Sequence, residues 1–240
     1  MQAYIEYGID FDNNRFGIGR STEIECANNE IRTKANIKIE NKKYYLRVWI
    51  GKKVFSYSAN DGFKIKTKNR NNFKFVFGIA GDVSPSIHLV CGFIGFGKTT
   101  LSKKLETSIP AKRYTHDDYM FERYGRTPDN FQEQYNQVDA FIRKEAEISV
   151  QNKHHVILDY GFWSQTSRKT YYEWAKKLTD NVFFHVIDCD MDIAKQRTFH
   201  RTQHNDKSLF IDEESFNDRL KYFQPYQETE KYPFVIKYKQ

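Results

Sequence analysis

Eight consecutive residues constrain this chain more than any others. Gly92-Phe93-Ile94-Gly95-Phe96-Gly97-Lys98-Thr99 is a complete GxxxxGK[ST] pattern, set between the apolar run Ile87-His88-Leu89-Val90-Cys91 and a helix-like stretch from Lys98 to Thr107. At ordinary residue usage it arises by chance on the order of once in a hundred chains of this length, and the strand before and helix after make it rarer. Glycines let the backbone curl so that successive N–H groups point inward at phosphate oxygens, and the helix N-terminus adds partial positive charge. Gly92, Gly95, Phe96, Gly97, Lys98, Thr99 and Thr100 are therefore the expected nucleotide-binding residues. Lys98 is placed to neutralise β and γ phosphates and Thr99 to ligate a metal, so ATP and Mg²⁺ are the expected cofactors.

Further apolar runs recur at 155–159, 182–188 and 234–238, with helix-like stretches at 130–151, 165–178, 191–201 and 212–223 between them. Unalternating strands interleaved with helices predict an α/β domain with a parallel sheet buried on both faces. That pattern starts only after Gly81-Asp82-Val83-Ser84-Pro85-Ser86, a small, polar, proline-bearing stretch, which puts the expected boundary between a 1–85 module and an 86–240 domain. Before it, Ile37-Lys38-Ile39, Tyr45–Ile50, Phe63–Lys66 and Phe73–Phe77 alternate with period two. Turn residues stand between them at 41–43, 51–53, 60–62 and 69–72, so the front reads as a small all-β antiparallel module of five or more strands.

Charge marks the same division. The formal net charge is +7, and within 31–78 there are 13 basic residues against two acidic ones, Glu40 and Asp61, interleaved with nine aromatics. Such a segment fits a nucleic-acid partner held through the basic module, or simply aromatics in a core with lysines in water. The alternation sets Lys64, Lys66 and Lys74 opposite Phe63, Ile65, Phe73 and Phe75, which allows one continuous basic face. No apolar window is long enough for a membrane span and the first residues lack a signal pattern, so a cytoplasmic protein with no membrane partner is expected. Cys26, Cys91 and Cys189 are odd in number and lack metal-site spacing, which predicts buried thiols. Aromatics at 16% exclude a disordered chain.

Acidic residues close two predicted strands: Asp117-Asp118 after Arg113–His116, and Asp159 after Val156-Ile157-Leu158. In an open parallel sheet all carboxyl ends face one crevice, so one acid can take a proton from an attacking hydroxyl while another holds Mg²⁺. The plainer reading of Asp117 and Asp118 is a helix N-cap. Arg197 and Arg201 share one face of a predicted helix, with Lys207 in the loop beyond, as phosphoryl transfer requires of a closing flap and as a solvated helix face also would.

From about Ile87 to Gln227 these residues resemble the P-loop kinases of the polynucleotide kinase and chloramphenicol phosphotransferase type. The resemblance implies a kinase fold and a transfer of the ATP γ-phosphate to a hydroxyl acceptor, either a nucleic-acid 5′ end or a small molecule. His116-Asp117-Asp118-Tyr119 is similar to the Asp-Asp-Tyr element of 5′-polynucleotide kinases, which makes Asp117 the implied general base. Asp159 matches their substrate-side acid, and Arg197 and Arg201 match their lid arginines. Asp159-Tyr160-Gly161-Phe162-Trp163, with Arg168 on the next helix, is similar to the D-x-G-F-W segment of uncharacterised bacterial members. Lys98, Asp117, Arg197 and Arg201 are thus the implied catalytic set, Thr99 and Asp159 the metal set, and Asp118, Arg126, Asp159 and Arg168 the acceptor set. Met120 stands where the polynucleotide kinases carry an Arg that grips substrate phosphate, with Arg123 or Arg126 the candidate substitute. Two other readings share the core: a nucleotide-dependent switch or adaptor, in which a base near the γ-phosphate is unnecessary, and a zeta-toxin-like sugar-nucleotide kinase.

Overall fold

The computed structural model of the protein describes residues 1–10, 18–26, 29–33, 37–109, 111–204 and 209–240, so Lys207 lies outside the described residues. The chain forms two compact units, Met1–Ser84 and Pro85–Gln240.

The first unit is one antiparallel sheet. Its strands are β1 (Gln2–Asp10), β2 (Ile18–Cys26), β3 (Asn29–Thr33), β4 (Ile39–Ser58) and β5 (Gly62–Val83), in the order β3-β2-β1-β5-β4. Only one of the four expected turns, at Asn60-Asp61-Gly62, reverses the chain; the others lie inside two strands of about twenty residues. Asn41 (φ 49°) and Gly51 (φ 60°) take the left-handed conformation within β4, beside irregularities between Glu40 and Lys43 and between Gly51 and Lys53. Positive φ serves a bulge as well as a turn, which is why the same residues read as chain reversals. At the second irregularity the pairing jumps from Lys53↔Thr67 to Gly51↔Asn72, two steps on β4 against five on β5. The alternation is therefore not continuous along the hairpin, and Lys64 and Lys66 do not form the single regular face with Lys74 that the sequence allows.

Where the register is regular, the sheet's two faces differ sharply. On one, Tyr45 lies over Gly78 and its hydroxyl donates to Glu6 (2.6 Å), Arg47 stands 3.6 Å from Glu6, and Lys74 sits over Trp49. The other carries Ile5 and Tyr7 from β1, Phe73, Phe75, Phe77 and Ile79 from β5, and Tyr44, Leu46, Val48 and Ile50 from β4.

The second unit is a five-stranded parallel sheet with helices on both faces, as the unalternating runs require. It runs β6 (Ile87–Cys91), α1 (Lys98–Ser108), β7 (Ala111–Thr115), α2 (His116–Tyr124), α3 (Phe131–Gln151), β8 (His155–Gly161), α4 (Gln165–Leu178), β9 (Val182–Asp188), α5 (Met191–His204), α6 (Glu213–Leu220) and β10 (Val235–Lys239). Strand order is β10-β9-β6-β8-β7, every pair parallel. All five residues of β6 are buried. The chain leaves β6 toward β8 on one side and reaches β9 on the other, so the turn after β6 opens at a topological switch point, where α/β sheets bind ligands. Cys91 and Cys189 are buried free thiols. Among the described residues no helix is long and apolar enough to cross a membrane.

A thread of polar groups crosses this core. Ser86 N–H donates to His155 Nδ1 (3.1 Å), whose other close neighbour is Ser86 Oγ (2.6 Å). Ser86 Oγ also meets His88 Nε2 (2.8 Å), His88 Nδ1 meets His185 Nε2 (2.8 Å), and His185 Nδ1 meets the Tyr238 hydroxyl (3.0 Å). The backbone N–H makes His155 Nδ1 an acceptor, so Ser86 Oγ donates to it and accepts from His88 Nε2; by the same count His185 Nε2 donates to His88 Nδ1 and Tyr238 donates to His185 Nδ1. With His88 and His185 kept uncharged by burial, that one amide sets all three imidazoles as Nε2–H tautomers. Burial holds His88 well below its ordinary range and takes His155 to about 4 and His185 to about 3.

Candidate functional site

The loop after β6 is pinned at both ends. Gly92 N–H donates to Gly161 O (2.9 Å), fastening it to the end of β8, and Gly97 starts α1 with φ +85°. Between them Gly95 (φ +78°) passes so close to α5 that a Cβ would stand 2.2 Å from Ala194 O and 2.8 Å from Thr198 Oγ1. Phe96 is buried in edge-on contact with Phe93 and Phe223. It anchors the loop, while Gly95, Gly97, Lys98, Thr99 and Thr100 face a cleft of about 710 Å³.

Asp117, Asp159, Arg126, Arg197 and Arg201 line the same cleft. Lys98 Nζ donates to Phe93 O (2.8 Å). Burial pushes its pKa down, against the attraction of Asp159 and Asp117, while burial pushes Asp159 up, against Lys98 and a hydrogen bond with Thr99. Asp159 Oδ2 is buried with no hydrogen-bond partner, its nearest cation being Arg113 Nη1 at 3.6 Å. A hydroxyl beside an unsatisfied carboxylate oxygen is a hard donor pair of the kind Mg²⁺ takes from a protein when phosphates and water complete its shell, so Thr99 and Asp159 fit that ion.

The two adjacent acids separate cleanly. Thr115 is the N-cap residue of α2, so Asp117 and Asp118 both lie in its first turn. Asp117 points into the cleft and makes no hydrogen bond among the described residues, whereas Asp118 points outward and meets Arg113 (3.2 Å). Met120, one turn on, is wholly buried in the core, so that position of α2 cannot present a cation to the cleft. Arg126 is engaged at the rim: Nη2 donates to Thr202 O (2.6 Å), its own carbonyl accepts from Phe210 N–H (3.2 Å), and its guanidinium lies over the Phe210 ring.

Arg168 requires a correction. It is 2% exposed and does not line the cleft; Nε and Nη2 both reach Glu230 (2.7 Å each), and Nη1 donates to Phe162 O and Gln224 O. A bidentate carboxylate and two carbonyls consume its planar fork, leaving no donor to offer an acceptor. Gly92 likewise spends its N–H on the fold.

Sequence reasoning missed a buried network beside Asp117. Asp139 of α3 accepts from Arg143 Nε (2.9 Å) and from the Tyr171 hydroxyl, and lies 3.3 Å from His116 Nε2. His116 stacks flat on Tyr135 (3.9 Å, 4°) and meets Tyr160 edge-on. The network joins α2, α3 and α4 through His116, the residue before Asp117. Arg113 and Arg219 were also missed; the latter lines the cleft from α6, over Phe131.

Residues 87–226 match the family model described as an AAA domain, and residues 2–81 match one described as a protein of unknown function, DUF3977. No curated protein matches the chain. Similar solved structures include a candidate kinase from Chloroflexus aurantiacus j-10-fl (15% identity, TM-score 0.51, 65% of this chain and 88% of that one). Another is Chaetomium thermophilum Kti12 in complex with ADP-AlF3 (13%, 0.50, 63% and 89%). A chain of the Pnkp1/Rnl/Hen1 RNA repair complex gives 18% and 0.49 over 58% of this chain and 44% of that one, so this chain spans less than half of its length. At these identities the likeness concerns the fold, which is that of P-loop kinases.

Proposed function

The chain belongs to the AAA-domain family, which covers 87–226, more than half its length, and from that premise we propose an ATP- and Mg²⁺-dependent kinase acting on a hydroxyl acceptor. The observation that carries the reading is the place of Asp117: an exposed carboxylate in the first turn of α2 that lines the same cleft as Lys98 and Thr99 of the phosphate loop, next to a second carboxylate turned to Arg113. A carboxylate open to the cleft that holds the phosphate loop is placed for a general base.

In this reading the loop amides and Lys98 hold the nucleotide phosphates, and Arg197 and Arg201 neutralise charge spreading over the transferred group. Asp117 accepts the acceptor's proton as its oxygen attacks. Thr99 and Asp159 would hold Mg²⁺, which supplies further charge neutralisation at the phosphates. The acceptor wall is built from Phe131, Tyr135, Tyr160 and Trp163, with Asp117 at its edge.

The test is transfer of label from γ-³²P ATP to a panel of RNA, DNA, sugar nucleotides and small alcohols. Lys98→Ala should abolish transfer. Asp117→Asn should lower kcat by ~10²–10⁴ with ATP affinity little changed, and Asp118→Asn should stay within about threefold of wild type. Equal, small effects at both aspartates would favour the switch reading instead.

A further inference from the structure

The first unit has a face that no described element covers, and its chemistry is one-sided. Tyr7, Tyr44, Ile50, Phe73, Phe75 and Phe77 are 40–55% exposed and stand on three neighbouring strands. Tyr44 and Phe77 are stacked at 6.0 Å, so the rings already form a continuous surface. In the regular part of β1, β5 and β4 the charged side chains Glu6, Arg47 and Lys74 occupy the opposite face, while on the aromatic side Arg20 of the neighbouring β2 pairs with Tyr7 and lies over its ring (5.8 Å).

That separation decides between occupants. A single-stranded nucleic acid stacking on aromatic rings needs a row of cations on the same surface to meet successive phosphates, and among the described residues of the regular register the ring side carries one, Arg20 at its β2 edge. A sheet face dominated by rings and aliphatics calls instead for a second apolar layer, since a sheet is stable when that face is buried against another element.

We propose that the second layer is a second copy of this chain, the two aromatic faces packing sheet on sheet about a two-fold axis. Five rings at roughly half exposure, with Ile50 and the half-buried aliphatics between them, present on the order of 600 Å² per copy. A standard interface takes about 800 Å² from each partner, so the face is nearly the size a stable dimer needs and is at the upper limit for a patch left bare on a monomer. Face-to-face sheets pack about 10 Å apart with side chains interdigitating, and a two-fold axis sets each ring row against its own copy, which an apolar face with its cation, Arg20, at the β2 edge permits.

The experiment is sedimentation equilibrium on the full chain from ~1 to ~100 µM, with ATP binding and far-UV circular dichroism as checks of folding. Wild type should dimerise. Phe75→Lys and, from a different strand, Tyr44→Lys should each raise the dimer Kd by at least a hundredfold while keeping ATP binding, and Lys74→Gln on the opposite face should leave it unchanged. A wild-type chain that stays monomeric at ~100 µM overturns the proposal. So does a dimer indifferent to both lysine substitutions, and so does a monomer whose aromatic face binds single-stranded RNA in a way that Phe75→Lys alters.

Discussion

Acidification should unfold the second unit before its carboxylates begin to titrate, because three neutral imidazoles are locked in its core. In the unfolded chain a His protonates near 6.5, whereas in the fold His155 and His185 are held to about 4 and about 3. A depressed His contributes stability that is present above the unfolded value and is lost as pH falls toward the folded one, here between about 6.5 and 4. At pH 4.5 each of the two has forfeited about 2.5 kcal/mol, so together about 5 kcal/mol, comparable with the whole stability of a small domain. His88 adds to this in the same direction. Unfolded Asp and Glu protonate only near 4, which keeps the window between 6.5 and 4.5 for the histidines. The assay is urea unfolding at several pH values, followed by tryptophan fluorescence in a Trp49→Phe background so that Trp163 and Trp174 report on the second unit. Below pH 6 stability should fall by two to three times the ~1.4 kcal/mol per pH unit of a single proton, and His185→Gln, which still donates and accepts, should remove one proton from that slope. A flat profile from 6.5 to 4.5, or an unchanged slope in the variant, would refute the reasoning.

Three further outcomes follow from particular contacts. Arg168→Met should destabilise the second unit by about 3 kcal/mol, because it strands the Glu230 carboxylate, yet leave ATP affinity unchanged; a selective loss of acceptor binding in a fully stable variant would return Arg168 to the acceptor site. Gly95→Ala should weaken nucleotide binding at least tenfold, through left-handed strain and the collision with Ala194 O, as isothermal titration would register. Asp139→Asn should reduce kcat more than KM, because it loosens His116 behind Asp117, and a kcat untouched within twofold would show that the network serves stability alone.

The phosphate-loop half of the cleft was legible in the sequence as structure because its residues are local: a strand, a glycine loop and a helix within 87–108 carry their own order. Helices α3 and α4 were legible by period for the same reason. What could not be read depends on partners far along the chain. Arg168 looks like an acceptor-site cation until Glu230 arrives from 62 residues away, and nothing near Asp139 announces that His116 and Tyr171 will meet it. In the first unit the difficulty was different. Gly51 and Asn41 carry a conformation shared by turns and bulges, and only the pairing of β4 with β5 tells them apart. The alternation of Ala3, Ile5, Tyr7 and Ile9 was present in the sequence, but too short beside the denser pattern after residue 31 to be assigned as β1.

Arg126 hydrogen-bonds both Thr202 and Phe210, and so ties one rim of the cleft to the other. Two hydrogen bonds and a cation over a ring amount to about 2–4 kcal/mol, so separating the segments that carry Arg126, Thr202 and Phe210 costs about that much.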